Sequence, residues 1–141
     1  MNAFLDYLPD EVHPQTGPIS LDNWRTGKLE ETLLVTTVPT DDATELPAFL
    51  SWGNWNASPP PAWHVAAFRS WRDRYGATPI VMRRDVIEFQ VARRPKTRED
   101  ALMLAAEMYA YCPDIVDQGV GTLPKLAASL MASDWWYFWW D

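Results

Sequence analysis

From Ala62 onward the apolar positions follow a helical period. His64, Ala67, Phe68, Trp71 and Tyr75 stand at i, i+3, i+4, i+7 and i+11, one face of a helix. Pro59, Pro60 and Pro61 are suitable opening residues, Gly76 is a natural stop, and Arg69, Arg72 and Asp73 fall on the opposite face. The period then changes. Pro79 to Arg83 reads as a short strand, Arg84-Asp85 as a tight turn, and Val86 to Ala92 as an alternating strand. In that strand Ile87, Phe89 and Val91 face one way and Glu88 and Gln90 the other. Thr97 and Asp100 have the spacing of a capping box. They open a helix with Ala101, Leu104, Ala105, Met108 and Cys112 inward, and Pro113 stops it. Thr122 and Pro124 open a third helix that runs to about Met131.

The two ends of the chain read differently. Leu33 to Val38 is β-branched and apolar, ends at Pro39, and predicts a first strand. Residues 39–61 form a long proline-rich connection, anchored by Trp52 and Trp55. Trp135 to Trp140 predicts a last strand with no alternation: Trp135, Tyr137 and Trp139 point one way, Trp136, Phe138 and Trp140 the other. The order of elements predicts an α+β fold, an elaborated ferredoxin-like βαββααβ sheet with helices on one face and the aromatic strand at an edge. Residues 1–45 read as an extension plus first strand packed on a main domain of residues 46–141, a single globular unit. The second face of the aromatic strand needs a cover, because exposed aromatic patches are interaction sites or liabilities. Either the N-terminal extension or a partner, including a second copy of the chain, supplies it.

Composition sharpens this picture at three points. The chain has 141 residues, nine of them tryptophan, and burial accounts for most of those rings; Trp71 in particular belongs to the core. A single cysteine excludes an internal disulfide and fits a reducing, cytoplasmic setting, as does the lack of a signal-like N-terminus or an 18-residue apolar run. Charge is segregated: residues 1–58 carry nine acids and two bases, residues 59–98 nine bases and three acids, and residues 99–141 seven acids and one base. The net charge of -7 argues against nucleic-acid binding, and the basic middle is expected to pair with its acidic flanks.

Chemistry-bearing motifs are sparse. His13, His64 and Cys112 lack the paired spacing of a zinc site, and no other metal or cofactor is indicated. Cys112 lies at a helix C-terminus, where the dipole disfavours a thiolate, so no catalytic residue is assigned. Gly119-Val120-Gly121-Thr122 reads as a glycine loop with a threonine cap. Carboxylates are the better candidates: Glu107 in a mostly apolar helix, Asp114 and Asp117 beyond its stop, and Asp141. Clustered near aromatic walls, they are suited to a cation, a sugar or an arginine. Pairing of Glu107 with Arg74 is the structural alternative.

Three spaced blocks carry a resemblance: Trp71-Arg72-Asp73-Arg74-Tyr75-Gly76-Ala77, Ala106-Glu107 through Tyr111-Cys112-Pro113-Asp114 to Gln118-Gly119, and Trp136-Tyr137-Phe138-Trp139-Trp140-Asp141. Together they resemble the bacterial domain-of-unknown-function family 4253 over about residues 46–141. The family brings no established activity. The resemblance implies that Glu107, Asp114 and Gln118 share a site, and the candidate binding set is Arg74, Glu107, Tyr111, Asp114, Gln118, Trp139, Trp140 and Asp141. The expected function is a non-enzymatic, cytoplasmic protein-binding module, of the kind in which an immunity protein holds a basic toxin through acidic surfaces. No membrane or nucleic-acid partner is expected. Two alternatives stand beside it: a small-ligand binder or hydrolase using Glu107, Asp114 and Gln118 beside Trp139 and Trp140, and a structural homodimer formed through the aromatic edge.

Overall fold

The computed structural model of the chain describes residues 14–23, 25–29, 32 and 34–141. Two-residue strands β1 (Asp22–Asn23) and β2 (Lys28–Leu29) form a small antiparallel hairpin. A 3-10 turn (Ala43–Glu45) and the one-turn helix α1 (Leu46–Phe49) follow, then helix α2 (Pro61–Tyr75) and strands β3 (Ala77–Met82) and β4 (Val86–Val91). Helix α3 (Arg98–Tyr111), a π-helical turn (Ile115–Val120), helix α4 (Leu123–Ala132) and strand β5 (Trp135–Trp139) complete the order. The fold is α+β.

Local chemistry sets the boundaries. Pro61 occupies the first turn of α2, where its missing N–H costs nothing. Gly76 ends that helix at φ 63°, and a Cβ there would lie 2.8 Å from that of Ala92. Thr97 and Thr122 cap α3 and α4 by accepting from the backbone N–H groups of Asp100 and Lys125.

The main sheet is antiparallel throughout, in the order β3-β4-β5, with Phe89 opposite Trp136 and Glu88 opposite Tyr137. This register confirms the two-faced reading of β5. Trp136, Phe138 and Trp140 join Ile87, Phe89 and Val91 under α2, α3 and α4 in one core. Trp71 stacks on Phe138 with centroids 5.3 Å apart and planes 5° from parallel.

Two departures from expectation concern the sheet. In a ferredoxin-like order the first strand lies between the last strand and the third, whereas here β5 pairs directly with β4. Residues 34–38 form no strand; Leu34 and Val35 are 91% and 92% exposed. β-Branched composition favours an extended backbone but does not supply a pairing edge. The free edge of β3 is a poor one, since Pro79 has no N–H to donate and the register shifts between Pro79 and Val81.

The basic middle pairs with its acidic flanks, as expected. Arg69 meets Asp42 and Glu45, Arg72 meets Asp42, Arg74 meets Glu107, and Arg94 meets Asp134. Arg84 instead lies over the Trp55 ring, 3.6 Å from its centroid.

The second face of the sheet is contacted by residues 15–20. Glu88, fully buried on that face, accepts from Gln15 Nε2 at 2.8 Å, from Ile19 N at 2.9 Å, and from both the backbone N–H and the hydroxyl of Ser20. Residues 15–20 therefore lie against this face at Glu88, while Trp135, Tyr137 and Trp139 on the same side remain half-buried.

Candidate functional site

The end of α3 and the π-helical turn carry Asp114 and Asp117, and Asp114 meets the backbone of Asp141 just beyond β5. Pro113 cannot continue α3, and Asp114 starts the turn that follows. Asp114 is held at both oxygens: Oδ1 accepts from Gln118 Nε2 at 3.1 Å and Oδ2 from the Asp141 backbone N–H at 2.9 Å. Asp117 accepts from the Tyr109 hydroxyl at 3.2 Å, and that bond pushes the Tyr109 phenol above its ordinary range. Cys112 Sγ donates to the Trp139 carbonyl at 2.9 Å, fixing the outer edge of β5 against this turn. The Trp139 ring lies over Gly119, where a Cβ would come within 2.8 Å of it. A cleft of about 240 Å³ opens alongside, lined by Ile115, Gly119, Val120, Leu126 and the β5 residues.

Asp114, Asp117 and Asp141 have no lysine or arginine within ion-pair distance among the described residues. These carboxylates therefore present negative charge that no internal ion pair among the described residues offsets.

The other expected site residues lie elsewhere. Glu107 accepts from Arg74 Nη2 at 2.6 and 2.7 Å and from Trp71 Nε1 at 2.8 Å. No hydrogen bond or ion pair joins it to Asp114 or Gln118 among the described residues, and the pairing with Arg74 is the structural alternative named from sequence. Tyr111 and Trp140 belong to the core: Tyr111 packs edge-on against Trp71 and Trp140, and burial holds its phenol well above the ordinary range.

A buried polar relay escaped the sequence reading. His64 Nδ1 and the Tyr111 hydroxyl share a hydrogen bond, and His64 Nε2 lies 3.1 Å from Ser58 Oγ. The ring is fully buried, with Trp52 centred 4.7 Å away and Gly53 so close that a Cβ there would sit 3.0 Å from it. Burial lowers the His64 pKa to about 4, so the ring stays neutral. With Ser58 also buried, the trio satisfies polar atoms inside an aromatic wall, and a substrate has no approach to the serine. The one sequence signal was a histidine on an otherwise apolar helix face.

Cys112 is likewise unsuited to nucleophilic work, since burial pushes its thiol pKa up to about 12. Among the described residues no group of three His, Cys, Asp or Glu side chains is arranged to hold a metal ion, and no helix is long and apolar enough to cross a membrane.

No curated protein and no solved structure matches the chain. One family model does, over residues 34–141, so the match begins ahead of the boundary at residue 46 expected from sequence. It covers the core, the carboxylate cluster and Glu88 but not the segment that contacts Glu88. The chain belongs to the family described as Domain of unknown function (DUF4253).

Proposed function

We propose that the protein is a non-enzymatic binding module for a basic protein partner, which it contacts through Asp114, Asp117 and Asp141. One observation carries this reading. Arg69, Arg72, Arg74 and Arg94 of the basic middle are engaged in internal ion pairs, while these three carboxylates have no lysine or arginine within ion-pair distance among the described residues. Uncompensated surface charge of one sign accelerates capture of an opposite-signed partner and makes the complex salt-sensitive. An immunity-type protein holding a basic toxin inside a bacterial cell is the specific form that suits these features. The alternative of a ligand site shared by Glu107, Asp114 and Gln118 has less support, because Glu107 is occupied by Arg74 and Trp71. A homodimer through the outer edge of β5 is also less favoured, since Cys112 already donates to the Trp139 carbonyl and the Trp135 N–H already donates to Ser133 Oγ.

The test is co-expression with the product of the adjacent gene, followed by affinity measurement across a salt series. The reading expects a complex that weakens by about tenfold or more between low and high salt. It expects a similar loss on Asp114→Asn, Asp117→Asn and Asp141→Asn combined. No complex, or one indifferent to both salt and the substitutions, overturns it.

A further inference from the structure

Glu88 and its surroundings hold residues 15–20 of the chain by hydrogen bonds. The backbone is held at both ends. Glu88 accepts the N–H groups of Ile19 and Ser20, Arg83 Nη1 donates to the Ser20 carbonyl at 2.7 Å, and Ser133 Oγ donates to the Gln15 carbonyl at 3.0 Å. Two side chains of the segment are also held, Gln15 through Nε2 and Ser20 through its hydroxyl, both on Glu88. Pro18 between them fixes its own φ, and the backbone bends at Gly17 and Ile19 on either side of it.

The segment is attached like a ligand and not like a strand. It makes no ladder with the three-stranded sheet, which is separate from the β1-β2 hairpin. Ile19 leaves 54% of its surface exposed, so apolar burial contributes little to holding it. The connection back to the domain runs through strands of two residues and the unpaired residues 34–38. Glu88, Arg83 and Ser133 all lie within the span matched by the family model, and residues 15–20 lie before it.

We infer that this face of the sheet is a peptide-docking site, and that a partner segment with glutamine and serine at the spacing of Gln15 and Ser20 binds there by displacing residues 15–20. The inference does not depend on the role of the Asp114 cluster. The occupant in place competes intramolecularly at an effective concentration of about millimolar, so an outside peptide binds the intact chain weakly.

The test uses the full chain with Gln15→Ala and Ser20→Ala, which weakens the resident segment and leaves the receptor whole. The probe is a synthetic peptide of residues 14–23. Expected is binding at least about tenfold tighter than to the unaltered chain, because the internal competitor is weakened. A peptide carrying the same two alanines should bind at least tenfold more weakly, and adding Glu88→Gln to the altered chain should abolish binding. Failure of the peptide to bind the altered chain, or binding indifferent to Glu88→Gln, overturns the inference. Amide exchange supplies a second readout on the otherwise unaltered chain: Glu88→Gln should speed exchange at Ile19 and Ser20 by at least tenfold and leave Phe89 unchanged. Equal acceleration across the sheet would make Glu88 a general structural residue and overturn the proposal.

Discussion

Arg74 and Glu107 are joined through one guanidinium nitrogen, Nη2, which lies 2.6 Å from Oε1 and 2.7 Å from Oε2 of the carboxylate. The same Oε1 accepts from the indole N–H of Trp71, a residue with no exposed surface. The two partners of Glu107 are therefore unequal. The arginine stands at the surface and returns to water if the pair breaks, while the indole has no such recourse. Arg74→Ala should cost less than about 1 kcal/mol, the usual worth of an exposed pair. Glu107→Ala should cost about 1–3 kcal/mol more, because a buried donor is left unpaired. Denaturant midpoints of the two variants decide the order, and equal midpoints would contradict it.

His64 makes stability depend on pH in a definite direction. Its pKa falls from 6.5 to about 4 on folding, so between these values the unfolded chain binds a proton that the folded chain does not. The contribution is fully present above pH 6.5 and is lost as pH falls toward 4. A shift of this size corresponds to about 3 kcal/mol. Chemical denaturation at pH 7, 5.5 and 4 measures it, and His64→Gln should flatten this limb as well as lowering stability throughout.

Cys112 should be inert in the folded protein. Burial holds its thiol near pKa 12, and its S–H is engaged by the Trp139 carbonyl. Alkylation by iodoacetamide at pH 8 is expected only through unfolding, with a rate that follows denaturant concentration. A denaturant-independent reaction at the rate of a free thiol would contradict this.

Gly119 and Gly121 should respond differently to alanine. At Gly119 the added methyl meets the Trp139 ring at 2.8 Å, so the ring must move, at about 1–3 kcal/mol. At Gly121 there is open space, but φ is 85°, and the cost is backbone strain of about 1 kcal/mol. Tryptophan fluorescence separates the two: a shifted emission is expected for Gly119→Ala and none for Gly121→Ala.

The helices and the faces of the strands were legible because their signals are local. Spacing and a proline–glycine frame defined α2, threonine caps marked α3 and α4, and strict alternation from Ile87 to Val91 fixed which side of β4 is inward. Strand order was not legible. Whether β5 pairs with β4 or with residues 34–38 depends on competition between distant edges, and Pro79 together with the bulge beside it weakens one of them. The π-helical turn was hidden because its residues show no period, only a proline before it and glycines within and after it. Of the trio Glu107, Asp114 and Gln118 expected to share a site, the last two are hydrogen-bonded to each other, while Glu107 pairs with Arg74. For Glu88 the alternation told only that it faces away from Ile87, Phe89 and Val91. Its burial comes from residues almost seventy positions earlier, and no window centred on the strand contains them.

The placement of core rings on β5 has a consequence for synthesis. Helix α2 and the β3–β4 hairpin are complete once residue 91 has emerged, yet Trp71 and Phe89 then lack Trp136, Phe138 and Trp140. Such sequence-distant contacts slow folding and keep apolar surface exposed while the chain lengthens. A nascent chain stalled anywhere between α3 and β5 is therefore the form most in need of a chaperone, and it closes its core only when residues 136–140 have left the ribosome.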